Sequence, residues 1–370
     1  MRVPFYDIKA QYDELQQPLD SAVHAVLSSG NYSMSANHKA FESELAELHG
    51  VKHGIAVNSG TDALRILLDA AGVGKGDEVI TTAFTFVASV EVIVQTGATP
   101  VMVEIDEETF QMDPAAFEAA ITPSTKAVMP IHLFGQLAPI REIRRIADKH
   151  GVTVIEDSAQ ALCCHHEGQY AGSFGAGGGL SFYVTKNLGA AGDGGLILTN
   201  SDEIAEACRS IRVHGMGRER YYYDHIGYTS RLDEIQAAIL RVKLTKVTEW
   251  NARRADLAQI YFEELLDAEV ALPSTLPGNN HTYHQFTIQT DRRDEMQAFL
   301  KSEEVDSMIY YPVPIHFHTP YSAYAKRGSL PITERVSERV LSLPIHPHLS
   351  ADQVRHAAKS VAKFGSAVLA

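Results

Sequence analysis

The sequence predicts an α/β protein with a mostly parallel seven-stranded sheet flanked by helices, followed by a smaller α+β unit. Between positions 51 and 200, short β-rich runs alternate with helical runs, the pattern of a sheet wound with crossover helices. After position 251 the alternation stops and gives way to a long helix, a Pro/Gly/Asn loop, a strand and further helices. The expected division is therefore a large unit at 1–250, including an N-terminal segment, and a small unit at 251–370.

Strands are expected at 54–58, 78–82, 99–103, 126–132, 152–156, 179–183 and 195–199. Between them, residues 63–71 and 140–150 read as helices. In the second of these, Ile140, Ile143, Ile146 and Ala147 share one face, and Gly151 suits a left-handed cap. Residues 231–244 are helical by period, with Leu232, Ile235, Ile239 and Val242 aligned. In the smaller unit, helices are expected at 251–266, 294–302 and 351–363, a loop at 272–280 and a strand at 282–289.

The 32 basic and 46 acidic side chains leave a net charge of −14 over 370 residues. That balance argues against binding to a nucleic-acid backbone, which needs a concentrated basic surface. A small phosphorylated ligand stays open, because backbone dipoles hold phosphate on an acidic protein. No uninterrupted apolar run of about 18 residues predicts a membrane span. Pro4, Asp7, Asp13 and Glu14 break up the N-terminal stretch, so no signal-peptide core is expected there. Three cysteines, Cys163, Cys164 and Cys208, fit a reducing compartment, and a cytoplasmic location is expected.

Four fragments carry the chemistry. Ser181-Phe-Tyr-Val-Thr-Lys186-Asn-Leu-Gly189, followed by Gly192-Asp-Gly-Gly195, puts one lysine in a glycine-flanked turn after a strand. An amine that forms an imine must lose its proton near neutral pH, and burial lowers a lysine pKa toward that range; a surface lysine in a loop is the plain alternative. The strand 152–155 ends in Glu156-Asp157-Ser158-Ala159-Gln160, so Asp157 stands at the carboxyl end of a wound-sheet strand, where ligands bind. A helix-capping aspartate is an equal alternative. Asn58-Ser59-Gly60-Thr61-Asp62 opens a helix whose unpaired N–H groups suit a phosphate, unless Ser59 or Thr61 is simply its cap. Phe86 lies just beyond a strand end, placed to stack on a flat ring or to fill the core.

In this order and wording, the fragments resemble the nucleotide-sugar aminotransferase family often called DegT/StrS. The resemblance extends from Phe41-Glu42 through His214-Gly215 and 227–238 to 310–314 and 341–347. It implies a fold-type-I aminotransferase that uses pyridoxal 5'-phosphate, normally a homodimer with active sites shared between subunits. Lys186 would form the Schiff base, Asp157 would pair with the pyridine nitrogen, and Gln160 would contact the ring hydroxyl. Phe86 would stack on the ring, Gly60, Thr61 and Ser181 would hold the phosphate, and Asn187 would adjoin the cofactor. Tyr183, Tyr310 and His316 are the candidates on the substrate side. The implied reaction takes nitrogen from an amino acid, usually glutamate, to a keto sugar on a nucleoside diphosphate. The stretch 227–238 looks more like the branch that acts on thymidine-diphosphate keto-deoxyhexoses.

The chain departs from that pattern at three places. Val184 stands where the family often has proline, and Thr229 where an asparagine reaches the partner subunit's phosphate. Ala161-Leu-Cys163-Cys-His165-His replaces the usual His-Gly, so no catalytic histidine is assigned there. Adjacent Cys163-Cys164-His165-His166 side chains cannot easily face one tetrahedral centre, so no metal site is expected. The glycine-dense run 172–179 lacks the Lys-Ser/Thr of a P-loop and is expected to be a flexible loop beside the cofactor. His214, His316, His318 and His346 are candidates for lining the substrate cleft. Two other functions compete: a regulator that binds cofactor or sugar nucleotide without turnover, and a related sugar dehydratase. Lys186 argues against the dehydratase branch, where histidine replaces this lysine.

Overall fold

The computed structural model describes residues 1–366, so the last four positions of the expected C-terminal unit lie outside the described residues. Its strands in chain order are β1 (His53–Val57), β2 (Glu78–Thr82), β3 (Thr99–Val103), β4 (Thr125–Val128) and β5 (Thr153–Asp157). A short hairpin follows, β6 (His165–His166) and β7 (Gln169–Tyr170), and then β8 (Gly177–Ser181), β9 (Gly195–Thr199), β10 (Phe286–Gln289) and β11 (Val340–Leu343). Seven of them form one sheet in the order β1-β9-β8-β5-β4-β2-β3. Only β9 runs antiparallel to its neighbours. Among the described residues no helix is long and apolar enough to cross a membrane.

Three strand expectations need correction. β10 begins at Phe286, four residues after the expected 282, because Thr282 N and Gln285 N bond Gly135 O and Phe134 O and not a sheet neighbour. β4 ends at Val128 because Pro130 has no N–H to continue the ladder, and pairing resumes only as the isolated bridge Ile131↔Asp157. β8 starts two residues before the expected 179. The glycine run is thus not a free loop: its second half is a sheet strand between β5 and β9. A Cβ at Gly177 would stand 2.8 Å from Leu67 Cδ2, and one at Gly179 would stand 2.9 Å from Leu64 Cδ2. Side chains on β8 would therefore push the helix Gly60–Ala70 off the sheet. Without them the helix buries Leu64, Ile66, Leu67 and Leu68 against it. Each such leucine contributes roughly 1.5–3 kcal/mol relative to exposure.

The second half of the chain builds its own core. β10 and β11 pair antiparallel, and Leu257, Tyr261, Phe286, Ile288, Leu341 and Val361 pack together. The long helix starts at Val247, four residues before the expected 251, and buries Trp250. Val3 joins this same core and forms a parallel bridge to Val305. The first residues of the chain therefore pack with its C-terminal part and not with the large sheet.

One buried carboxylate ties β5 to the segment that leads into β8. Glu156 is fully buried and accepts hydrogen bonds from the N–H groups of Gly172 (2.7 Å), Phe174 (2.8 Å) and Gly175 (3.0 Å). His132 Nδ1 accepts from Ala138 N, so its Nε2 carries the proton and donates to Glu156 at 3.0 Å. Glu156→Ala would strand four donors, each costing about 1–3 kcal/mol when left unpaired. The expected result is a loss of about 3 kcal/mol or more of stability, read as a shift of the urea midpoint; an unchanged midpoint would contradict this account.

Candidate active site

Strands β1, β2, β5 and β8 all point their carboxyl ends at one cavity of about 500 Å³. It is lined by Gly60 and Thr61 after β1, Phe86 after β2, Asp157 and Gln160 at the end of β5, and Ser181, Tyr183 and Lys186 after β8. Nine of the twelve residues singled out from the sequence thus converge, counting Tyr310, which also lines it.

The loop bearing Lys186 is held at both ends. Phe182 N donates to Gly194 O, Ala190 N to Phe182 O, and Lys186 N to Tyr183 O, each at 2.8 Å. Phe182 packs edge-on against Phe41, with ring centres 5.1 Å apart. The buried Lys243 ammonium donates to Gly189 O at 2.8 Å. Burial lowers the Lys186 pKa from 10.5 to about 8, while the nearby Asp157 carboxylate opposes the shift. About a tenth of this amine is then unprotonated at pH 7, against a fraction far below a hundredth for an ordinary lysine.

Asp157 is no helix cap. Its Oδ2 accepts from Ser89 Oγ at 2.7 Å and its Oδ1 from Ala159 N at 3.1 Å, while Thr85 Oγ1 lies 2.9 Å from the same Ser89 hydroxyl. Gln160 accepts from Phe134 N at 2.8 Å and donates to the Tyr311 hydroxyl at 3.0 Å. At the corner of the cavity where the helix begins, Ser59 is the cap, accepting from Asp62 N at 3.1 Å. That leaves the Gly60 and Thr61 N–H groups at the positive end of the helix. A Cβ at Gly60 would come within 2.7 Å of Ser181 Cβ, so only glycine brings the helix start this close to the serine. Phe86 is 56% exposed, unusual for a phenylalanine, and turns its ring into the cavity.

Three sequence candidates lie elsewhere. Asn187 is buried beside the cavity and binds Asn251, Thr282 and His284, because its neighbour Lys186 occupies the cavity side of the turn. His316 is 1% exposed and pairs with Glu334 Oε1 at 3.0 Å, so it does not line the cavity. Thr229 is exposed, its Oγ1 2.9 Å from His214 Nε2, outside the cavity of its own chain. His346 is buried against Pro4 O at 3.2 Å, and neither it nor His214 or His318 lines the cavity. Conversely, Tyr6, Ser89, His284, Gln285 and Tyr311 line it and escaped the sequence reading. Tyr6 reaches across from the N-terminal segment, its hydroxyl 2.9 Å from that of Tyr310. Of these, only Tyr311 had a signal, its place in the stretch 310–314.

An amine of lowered basicity, a buried carboxylate, a helix start and an exposed aromatic face together suit imine chemistry on a phosphorylated aromatic aldehyde. The model for the DegT/DnrJ/EryC1/StrS aminotransferase family matches residues 13–362. The chain belongs to this family. It is 44% identical over 98% of its length to a "Pleiotropic regulatory protein" of Geobacillus stearothermophilus, covering 99% of that relative. It is 42% identical to the "dTDP-3-amino-3,4,6-trideoxy-alpha-D-glucose transaminase" of Streptomyces venezuelae, over 99% of this chain and 97% of the relative. The crystal structure of S. venezuelae DesV, in complex with a ketimine intermediate, superposes with a TM-score of 0.96 at 42% identity, over 98% of each chain.

The Lys186 environment of this aminotransferase gives a direct test. In cofactor-free protein, reductive methylation of Lys186, followed by peptide mass spectrometry, should rise with pH through a midpoint near 8. Asp157→Asn removes the anion that holds the proton on, so the midpoint should fall further. A midpoint near 10.5, the ordinary lysine value, would show that the amine is not buried as described.

Proposed function

We propose that the chain transfers an amino group from an amino acid, typically glutamate, to a dTDP-linked keto-deoxyhexose, using pyridoxal 5'-phosphate in Schiff-base linkage to Lys186. The observation that carries the proposal is the convergence of a low-basicity lysine and a buried aspartate on one cavity, with a helix start at its corner. When bound, the cofactor supplies an electron sink for the carbanion formed in each half of the transfer.

The chain's own residues fit that group. Gly60 and Thr61 N–H and the Ser181 hydroxyl would hold the phosphate, and Phe86 would cover the ring. Asp157, fixed by Ser89 and Ala159, would keep the ring nitrogen protonated, and Gln160 would reach the ring hydroxyl. Lys186 Nζ would take the proton from the donor's carbon and return it on the other side of the reaction. Tyr310 and the half-exposed Tyr183 stand at the cavity where a sugar would enter.

The active unit in this proposal is a homodimer with shared sites. Lys186 is the single cation among the cavity residues, against Asp157 and Asp193, yet the ligands carry several phosphate charges. A second copy would complete the site, with Thr229, exposed and outside its own cavity, as a hydrogen-bond donor that reaches across. The three cysteines are free thiols, which fits a cytoplasmic setting.

The dTDP-sugar assignment follows the name of the S. venezuelae relative. The name of the Geobacillus relative favours a second reading, a regulator without turnover; a passive binder, however, has no need of an amine with a pKa near 8. A sugar dehydratase is the third. The deciding experiment incubates the protein with pyridoxal phosphate, nitrogen-labelled glutamate and a panel of keto sugar nucleotides. Labelled amino sugar should form with a dTDP-keto-deoxyhexose, and the protein should show a near-visible band that borohydride bleaches. Lys186→Ala should lose both. A band without labelled product would support the regulator, and deoxygenated product without label the dehydratase.

A further inference from the structure

We infer that His284 is a positioning residue for Lys186, with its Nε2 lone pair facing the cavity to accept a hydrogen bond from Nζ whenever that amine is released from the cofactor. The inference rests on the proposed role of Lys186 and deepens it.

Asn187, the residue next to the lysine, is held on the protein side of the turn. Its Nδ2 donates to Asn251 Oδ1 at 2.8 Å and to Thr282 O at 3.0 Å, which occupies both amide hydrogens. Its Oδ1 is thereby fixed as an acceptor, and it lies 3.1 Å from His284 Nδ1. An amide oxygen can only accept, so His284 Nδ1 is the donor and carries the proton, and Nε2 carries the lone pair. Asn187, Asn251 and His284 are each at least nine-tenths buried, so the tautomer is locked by packing.

His284 lines the cavity together with Lys186. Lys186 Nζ has no hydrogen-bond partner among the described residues, and His284 Nε2 has none either. One needs an acceptor and the other a donor, and a change of rotamer in the long lysine side chain would join them. The charged and titratable groups around the pair are Arg254 on the protein side, Asp157 and Asp193, and the phenols of Tyr6, Tyr183, Tyr310 and Tyr311. Burial and the positive charges of Lys186 and Arg254 keep the imidazole neutral, its pKa far below the ordinary range. A neutral acceptor holds the protonated Nζ after it has taken up a substrate proton without adding a second charge. It also stabilises the ammonium against the burial that disfavours it, so its removal should make the amine less basic.

The test mixes apo-protein with pyridoxal phosphate and follows the growth of the borohydride-sensitive band as a function of pH. Wild type, His284→Phe and His284→Gln are compared, each with its melting temperature. His284→Phe should lower the midpoint by about one pH unit, a tenfold loss of proton affinity. His284→Gln, which keeps an acceptor, should recover at least half of that shift. Equal midpoints in all three, or an upward shift in His284→Phe, would overturn the inference. Should His284→Phe not melt cooperatively, His284→Leu takes its place, with the same downward shift expected and an unshifted or raised midpoint overturning the inference. Absence of the band in every protein, wild type included, would instead sink the role given to Lys186.

Discussion

The site depends on the parallel pairing of β5 with a strand that is mostly glycine. Ile155, Glu156 and Asp157 stand opposite Gly177, Gly178 and Gly179, so the aspartate and the start of the lysine loop are set by one ladder. Glycine at 177 and 179 lets Leu64 and Leu67 press onto β8 from above. The same approach brings the helix start at Gly60 against Ser181. Below, Glu156 uses both oxygens to hold the segment entering β8 and the imidazole of His132. Carboxylate, amine and helix start are therefore three consequences of a single packing arrangement.

The electrostatics follow from that packing. Burial drives the Lys186 proton off, and Asp157 in the same cavity draws it back, leaving a pKa near 8 in place of 10.5. Each unit of such a shift is about 1.4 kcal/mol between the two protonation states. The buried Asp157 carboxyl is satisfied within the fold, because Ser89 and Ala159 each donate to one of its oxygens. Gln160, Tyr311, Tyr6 and Tyr310 then form the cavity's hydrogen-bonded wall, with the phenol of Tyr6 delivered from the start of the chain.

Fragments that carry their own backbone chemistry were legible in the sequence. The turn before Lys186, the acidic strand end at Asp157 and the small-residue helix start at Gly60 each follow a local rule. Those rules put nine of the twelve candidates in one cavity. The failures also have local causes. Asn187 belongs to the same motif as Lys186, yet adjacent residues in a turn point to different sides. His316 was a candidate for the substrate side, but it is buried and its partner Glu334 lies 18 positions downstream. The glycine run looked like a loop because a strand without side chains shows no alternation of apolar and polar residues.

The sequence by itself determined the seven strands of the large sheet, the lysine turn, the acidic strand end and the small-residue helix start, since each rests on contacts within a few residues. Tertiary structure alone decided the rest: that Ser89 holds Asp157 from 68 positions away, that Tyr6 meets Tyr310 across 304, and that Asn187 fixes the tautomer of His284 across 97. Such contacts leave no trace in local periodicity, because what brings the partners together is the closing of the sheet and the packing of the C-terminal core. A hydrogen bond between distant residues is specified by the whole fold, whereas a turn or a cap is specified by its own few residues.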